Sequence, residues 1–282
     1  MPVKVGIFMF ATRTTIDVVS LARTVEELGF ESLFLPEHAI VPETFSSPYP
    51  GGGPLPDEYR MMFDPFVALA AAAGATQRIR LGTAIALVPE RHPLLSAKAV
   101  ATLDQVSRGR FIYGVGCGWL KEEGAIFKVD WKRRWTQTRD YIQAMKVCWS
   151  QPVAEYAGSH ARFPRLICDP KPVQRPHPPI LIGGDLEKAA ERIADFGDGW
   201  IPRYLWTKER EMAAGRERIE ALYRARGRDA SALDITLFGC PAKRERHRSF
   251  GDAGVTRIVH VVPMEPREAT LDRLKRLADA VL

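Results

Sequence analysis

The chain predicts a (β/α)8 TIM barrel, and three observations carry that reading. Short apolar runs rich in β-branched and aromatic residues alternate with longer stretches of helical periodicity from end to end. Eight strand candidates can be counted, each followed by a helix or helix-like stretch. The length, 282 residues, matches eight such units, which typically occupy about 250. Alternation alone does not close a barrel, so a doubly wound open sheet stays as the competing architecture.

The units follow in order. "VKVGIFMF" (3–10) is the first strand, and "TIDVVSLARTVEEL" (15–28) has apolar spacing near the helical repeat, with Gly29 placed as its stop. "SLFL" (32–35) is the second strand. A long loop from Pro36 to Phe63 follows, rich in glycine and proline; loops of that length in compact domains are usually functional. Asp64 then Pro65 is an N-cap followed by the residue suited to the first helical position, so "DPFVALAAAAGA" opens a helix. "IRLGTAIALV" (79–88) is a near-continuous apolar strand of the kind buried on both faces. A helix over 92–107, the strand "RFIYGVG" (110–116) and a helix through "TQTRDYIQAMKVCW" come next. The proline-rich segment 151–179 reads as irregular. The series resumes with "ILIGG", a helix over "LEKAAERIADF" and the strand "GWIP". A helix from Thr207 to Ala225, "DITLFGC", a short helix, "RIVHVV" and a terminal helix complete it. No internal repeat or linker is evident, so residues 1–282 read as one domain.

Composition narrows the function. Hydrophobic residues make up 46% and charged residues 26%, the balance of an ordinary soluble globular protein. No apolar run reaches the roughly 18 residues a membrane span needs. The first residues, "MPVKVGIFMFATRT", are too short in their apolar part and wrongly flanked for a signal peptide, so the expected location is the cytoplasm. Cys117, Cys148, Cys168 and Cys240 are scattered without a C-x-x-C pair, which fits reduced thiols. The six histidines form no H-E-x-x-H and no i, i+4 pair, so no metal site is expected. The net charge of +6 reads as solvated surface; an anionic ligand comes second, and nucleic acid a distant third, since no nucleic-acid motif accompanies the charge.

In a barrel of this type ligands bind at the C-terminal ends of the strands, which gives a short list of residues. Gly116–Gly118 and Gly183–Gly184 are glycine turns on two strand ends. Such turns expose backbone N–H groups to an anion, or simply serve tight packing where a strand ends. Asp185, beside the second turn, reads as the cap of the helix beginning at Leu186. His38 follows the second strand with Glu37 beside it; the imidazole could exchange a proton, with Glu37 holding its tautomer or raising its pKa, or it is a loop histidine satisfied by backbone. Arg91, His92 and Arg203 also fall near strand ends, where salt-bridge or capping roles compete with binding of an anionic substrate.

"ESLFLPEH" (31–38), "RIRLGTAIALVPERHPLLSAKAVATLDQVSRGRFIYGVGCGWLKEE" (78–123), "PKPVQRPHPPILIGG" (170–184) and "GDGWIP" (197–202) resemble the luciferase-like monooxygenase superfamily. Within it the sequence is similar to the actinobacterial oxidoreductases that use the deazaflavin coenzyme F420. The resemblance implies a TIM barrel with the cofactor at the C-terminal face. It implies a non-proline cis peptide at Ala84–Ile85, preceded by Thr83, forming a bulge that supports the central ring. It places the cofactor's phosphate end on Gly116, Cys117 and Gly118, with a second contact at Gly183 and Gly184. His38 matches a histidine that some members place beside the reactive ring, and Glu37 an acidic neighbour. The sugar-phosphate dehydrogenases of the superfamily carry a glutamate just after the glycine turn. Trp119 stands there instead, which suits an aromatic wall for a planar or apolar substrate. The chain is short for the superfamily, and 151–179 leaves no room for a large lid.

The function expected from this resemblance is hydride transfer between F420 and a small organic substrate with an electron-poor C=C, C=N or C=O group, with His38 supplying the proton. The basic surface would suit the coenzyme's polyglutamate tail. An FMN-dependent monooxygenase is the alternative, and a non-catalytic flavin- or deazaflavin-binding protein is the alternative of another class. No nucleic-acid or membrane partner is expected, and a homodimer is compatible with the superfamily.

Overall fold

A computed structural model describes residues 2–204 and 208–282. The first quarter of the chain contains β1 (Lys4–Met9), α1 (Val18–Glu27), β2 (Ser32–Leu35), α2 (Glu58–Met61) and α3 (Pro65–Ala75). Next come β3 (Arg80–Thr83), β4 (Ala86–Leu87), α4 (Pro93–Val106), β5 (Phe111–Gly116), α5 (Lys121–Ile126) and α6 (Arg134–Ser150). A hairpin, β6 (Ala154–Ala157) and β7 (Arg162–Leu166), leads to β8 (Ile180–Gly183), α7 (Leu186–Phe196) and β9 (Gly199–Ile201). The last elements are α8 (Glu209–Ala225), β10 (Asp234–Phe238), α9 (Arg244–Asp252), β11 (Arg257–Val262) and α10 (Arg267–Val281). The Thr207 at which the sequence starts the helix of α8 lies outside the described residues.

The strands pair in the order β3-β2-β1-β11-β10-β9-β8-β5, all parallel, and β5 pairs back onto β3 through Leu81↔Phe111. That pairing closes the sheet into an eight-stave barrel. The open sheet is excluded.

The helix signals hold at the residues that carry them. Asp64 Oδ1 accepts the N–H groups of Phe66 and Val67, with Pro65 in the first turn. Asp17 caps α1 through the Ser20 N–H, and Gly29 ends it at a φ of 90°, the left-handed region that favours glycine. Asp185 occupies the N-cap position of α7, but its side chain makes no capping hydrogen bond.

Two segments differ from the sequence reading. The continuous strand read from the apolar run 79–88 is broken at Ala84–Ile85, where the peptide is cis as the resemblance implied, and β3 and β4 share one stave and pair with β5 on either side of the bulge. Segment 151–179 is not wholly irregular. It holds the antiparallel hairpin β6–β7, where Pro164 is tolerated because the two-stranded sheet has free edges.

The core has two parts. A large cluster lies between staves and helices, from Ile7, Leu33 and Leu81 to Leu69, Val100, Ile193 and Ile219. Inside the barrel Phe8, Phe34, Ile112, Leu181, Ile201 and Val259 form a second cluster, one residue from each of six staves. Strand alternation produces this division, since successive side chains of a stave point to opposite faces. The N-terminal end of the barrel is plugged by Arg257, fully buried, which donates to Glu31 Oε2 and Oε1 at 2.7 and 2.8 Å and to Asp234 Oδ2 at 2.8 Å. Apolar side chains fill the middle.

Candidate active site

His38 follows β2 by three residues and turns back against α5. Its Nδ1 hydrogen-bonds Glu123 Oε2, and its Nε2 accepts the Trp119 indole N–H at 3.1 Å. The His38 backbone N–H donates to the Met62 sulfur at 3.1 Å. Glu123 is fully buried, and its second oxygen accepts the Ile40 N–H at 3.3 Å. Each ring nitrogen therefore has a partner, and the imidazole is held at both ends.

Glu37 does not touch His38, which corrects the sequence reading. Its carboxylate accepts the Leu87 N–H at 2.6 Å and the Arg91 guanidinium, which also pairs with Asp64. Burial pushes the Glu37 carboxyl up, and Arg91 and the Leu87 N–H offset part of that. Glu37 thereby ties the end of β2 to β4 and its bulge. His92 caps α4, accepting the Leu94 N–H at 3.3 Å. Arg91 and His92 thus have structural partners rather than an open anion site.

The bulge sits between the strand ends. Ala84 N–H donates to Leu35 O at 2.9 Å, and Thr83 Oγ1 donates to Gly114 O at 2.7 Å. The Ile85 side chain fills the space over Gly116 and Gly183, where a Cβ would come within 2.0 Å of Ile85 Cδ1 and 3.2 Å of Ile85 Cγ2. Gly116 thus seats Ile85, with Gly183 packed closely beside it, the tight-packing alternative for such turns. The two turns beyond them behave differently. The backbone N–H groups of Cys117, Gly118 and Gly184 make no hydrogen bond among the described residues. A Cβ on Gly184 would meet nothing within 4 Å, and Trp200 Nε1 fixes this turn by donating to Gly184 O at 2.7 Å.

The Cys117 thiol is buried and pushed up to about 11 by desolvation, with Arg134 and Arg192 pulling the other way. It is a neutral packing group at physiological pH, not a nucleophile. The two arginines stack on Trp131 and Trp135, with guanidinium carbons 4.4 and 4.0 Å from the ring centroids. Arg134 Nε is buried with no hydrogen-bond partner. Free N–H donors and two cations therefore flank one turn, the donor set that suits a phosphate.

The loop 36–63 covers His38 with aromatic rings. Tyr59 packs 5.2 Å from His38, 5.0 Å from Phe10 and 5.4 Å from Tyr49, and Trp119 lies 5.8 Å from Tyr49. Glu122 pins the loop by accepting from Ser46 N–H and Oγ at 2.9 Å each and from Ser47 Oγ at 2.6 Å. These bonds hold its carboxyl down at about 2, so the pin is complete above the ordinary carboxyl range and is lost only as pH falls towards that value. Glu122→Ala is expected to speed limited proteolysis within 42–56 severalfold while the melting temperature changes little. Unchanged cleavage would mean that the aromatic contacts alone hold the loop.

Sequence reasoning missed Glu123, Glu90, Arg134, Arg192, Tyr49 and Tyr59. Among the described residues no group of three or more His, Cys, Asp or Glu is placed to hold a metal ion, and no helix is long and apolar enough to cross a membrane.

A barrel with a caged histidine, a bulged stave and two donor turns at its C-terminal end defines a class. The model of the luciferase-like monooxygenases matches residues 3–274, and the chain belongs to that family. An uncharacterised protein of Mycobacterium tuberculosis is 35% identical over 277 residues, covering 97% of this chain and 96% of that one. Among solved structures, the monooxygenase RslO1 from Streptomyces bottropensis superposes with a TM-score of 0.78 at 22% identity, covering 98% of each chain. An F420-dependent secondary alcohol dehydrogenase in complex with an F420–acetone adduct gives 0.76 at 16% identity, covering all of both. These two share the fold.

Proposed function

We propose that the protein binds a flavin-type cofactor, coenzyme F420, and transfers a hydride between it and a small organic substrate bearing an electron-poor C=C, C=N or C=O group. The observation that carries this is the pair of turns at Cys117–Gly118 and Gly184, whose N–H groups are unbonded and which have Arg134 and Arg192 beside Cys117. A phosphate needs such donors, and the bulge of β3–β4 stands next to them on the same barrel end. The F420 complex of the alcohol dehydrogenase, on the same fold, favours the deazaflavin.

Bound there, the deazaflavin supplies a ring carbon that gives or takes hydride and reacts poorly with oxygen. The chain's own work is the rest. Thr83, Ala84 and Ile85 would back the ring, and the two turns would hold the phosphate. Tyr59, Tyr49 and Trp119 exclude water from the substrate side. His38 exchanges the proton that accompanies the hydride, and Glu37 acts through Arg91 and Leu87 to fix the bulge.

The FMN-dependent monooxygenase is the second reading, favoured by the family match and by the likeness to RslO1. Fluorescence titration of the purified protein with F420 and separately with FMN decides between them. Tight binding of F420 with little affinity for FMN is expected. The reverse preference, with oxygen uptake in the presence of reduced FMN, would overturn the F420 assignment. Binding of neither would remove the phosphate reading of the turns.

A further inference from the structure

An indole nitrogen can only donate a hydrogen bond. Trp119 Nε1 lies 3.1 Å from His38 Nε2, so Nε2 is the accepting nitrogen and carries no proton. The neutral ring must then bear its proton on Nδ1, where it faces Glu123 Oε2. A carboxyl oxygen can accept that proton, so both bonds agree on one tautomer.

We propose that Glu123 is a positioning residue that holds His38 in the tautomer protonated on Nδ1, and that the Trp119 indole is a gate on Nε2, which must swing off before His38 passes a proton to or from a substrate. The proposal deepens the function proposed above, because only a proton-exchanging His38 needs a gate. In the reducing direction Nε2, once released, first takes a proton from solvent; the Nε2–H bond of that imidazolium then breaks, its electron pair returns to Nε2, and the proton joins the substrate. In the oxidising direction the Nε2 lone pair takes the proton. Either way Nε2 has to be free of Trp119, while Glu123 goes on accepting the Nδ1–H.

The surroundings support this division of labour. Glu90 is buried beside Gly118 and faces Glu123 and Glu37. Burial and those two carboxyls push it up to about 9, so Glu90 is protonated at neutral pH. A neutral Glu90 places no negative charge beside the Gly118 turn. The Tyr59 ring packs 5.2 Å from the imidazole. Among the described residues Trp119 bonds His38 through its indole N–H and makes edge contacts with His38, Tyr49 and Tyr59, so its release breaks that hydrogen bond and those ring contacts.

The test is nitrogen-15 NMR of the imidazole and indole groups of the protein alone, without cofactor. In the wild type the His38 ring is expected to be protonated on Nδ1, and the Trp119 indole N–H resonance to be displaced downfield by its bond to Nε2. Glu123→Leu should move the proton to Nε2 and return the indole resonance to the position of a free indole. Glu123→Gln should restore both wild-type signals, since its amide oxygen accepts the same N–H. Trp119→Phe should leave the proton on Nδ1 and shift the Nε2 resonance alone, which serves if Glu123→Leu does not fold. A wild-type ring protonated on Nε2, or Glu123→Leu with both signals unchanged, would overturn the proposal. Failure of F420 binding would sink the functional reading and leave these signals as they are.

Discussion

Arg257→Met is expected to cost about 3–5 kcal/mol of folding stability, the usual consequence of removing one partner from a buried ion pair. For a chain of this size that is a fall in melting temperature on the order of 10 °C. Methionine keeps most of the side-chain volume, so the loss is electrostatic rather than a cavity. The fully buried guanidinium bonds Glu31, Asp234 and, at 2.8 Å, Thr236 Oγ1. It holds the carboxyls of Glu31 and Asp234 below their ordinary values against the desolvation that pushes them up. In the wild type these depressed carboxyls contribute stability above the ordinary carboxyl range and lose it as pH falls. In the variant the half-buried Asp234 loses its cation, so its carboxyl is expected to rise and protonation relieves it. The gap between the two proteins should therefore narrow as pH is lowered from 7 towards 4.5. Urea melts at the two pH values measure this. Adding Asp234→Asn should recover part of the loss, and a double variant no more stable than Arg257→Met would refute the account.

The staves were legible because a strand buried largely on both faces shows as a mainly apolar run: "SLFL" and "RIVHVV" coincide with β2 and β11. Asp64–Pro65 and Gly29 were legible because capping is local chemistry. The partner of His38 was not. Glu37 is its neighbour in sequence, but successive residues of an extended chain project to opposite sides, so Glu37 turned to Arg91 and Leu87. The carboxylate that does reach His38 comes from 85 positions later, at the start of α5. There the two glutamates of "WLKEE" look like ordinary acidic residues favouring a helix N-terminus. Nothing local distinguishes Glu122, which pins a loop, from Glu123, which holds a histidine. The cationic flank of Cys117 was hidden similarly, since Arg134 and Arg192 lie on α6 and α7 and meet only when the barrel closes. The proline-rich stretch concealed β6–β7, because proline argues against a central strand and says little about a two-stranded ribbon.

Gly114→Ala and Gly116→Ala should separate sharply, although both glycines belong to the "GVG" end of β5. A Cβ on Gly114 would lie 2.0 Å from Thr83 O, a backbone atom of the stave that leads into the bulge, and 2.8 Å from Ile201 Cδ1. Nothing can yield there except the main chain, and Thr83 Oγ1 is itself bonded to Gly114 O. Gly114→Ala is therefore expected to cost more than the 1–3 kcal/mol typical of overpacking and to accumulate as insoluble protein. A Cβ on Gly116 would also come within 2.0 Å of a neighbour, but that neighbour is Ile85 Cδ1, the far end of a side chain. Ile85 can change rotamer or be shortened, so Gly116→Ala should fold with a loss of about 1–3 kcal/mol. Gly116→Ala combined with Ile85→Val, which removes that methyl, should regain most of it. The same Ile85→Val change should do nothing for Gly114→Ala. Soluble yield and thermal melting of the four proteins decide the matter. Equal behaviour of the two single variants, or rescue of both by Ile85→Val, would mean that the bulge yields as a unit and that backbone contact does not set the requirement for glycine at 114.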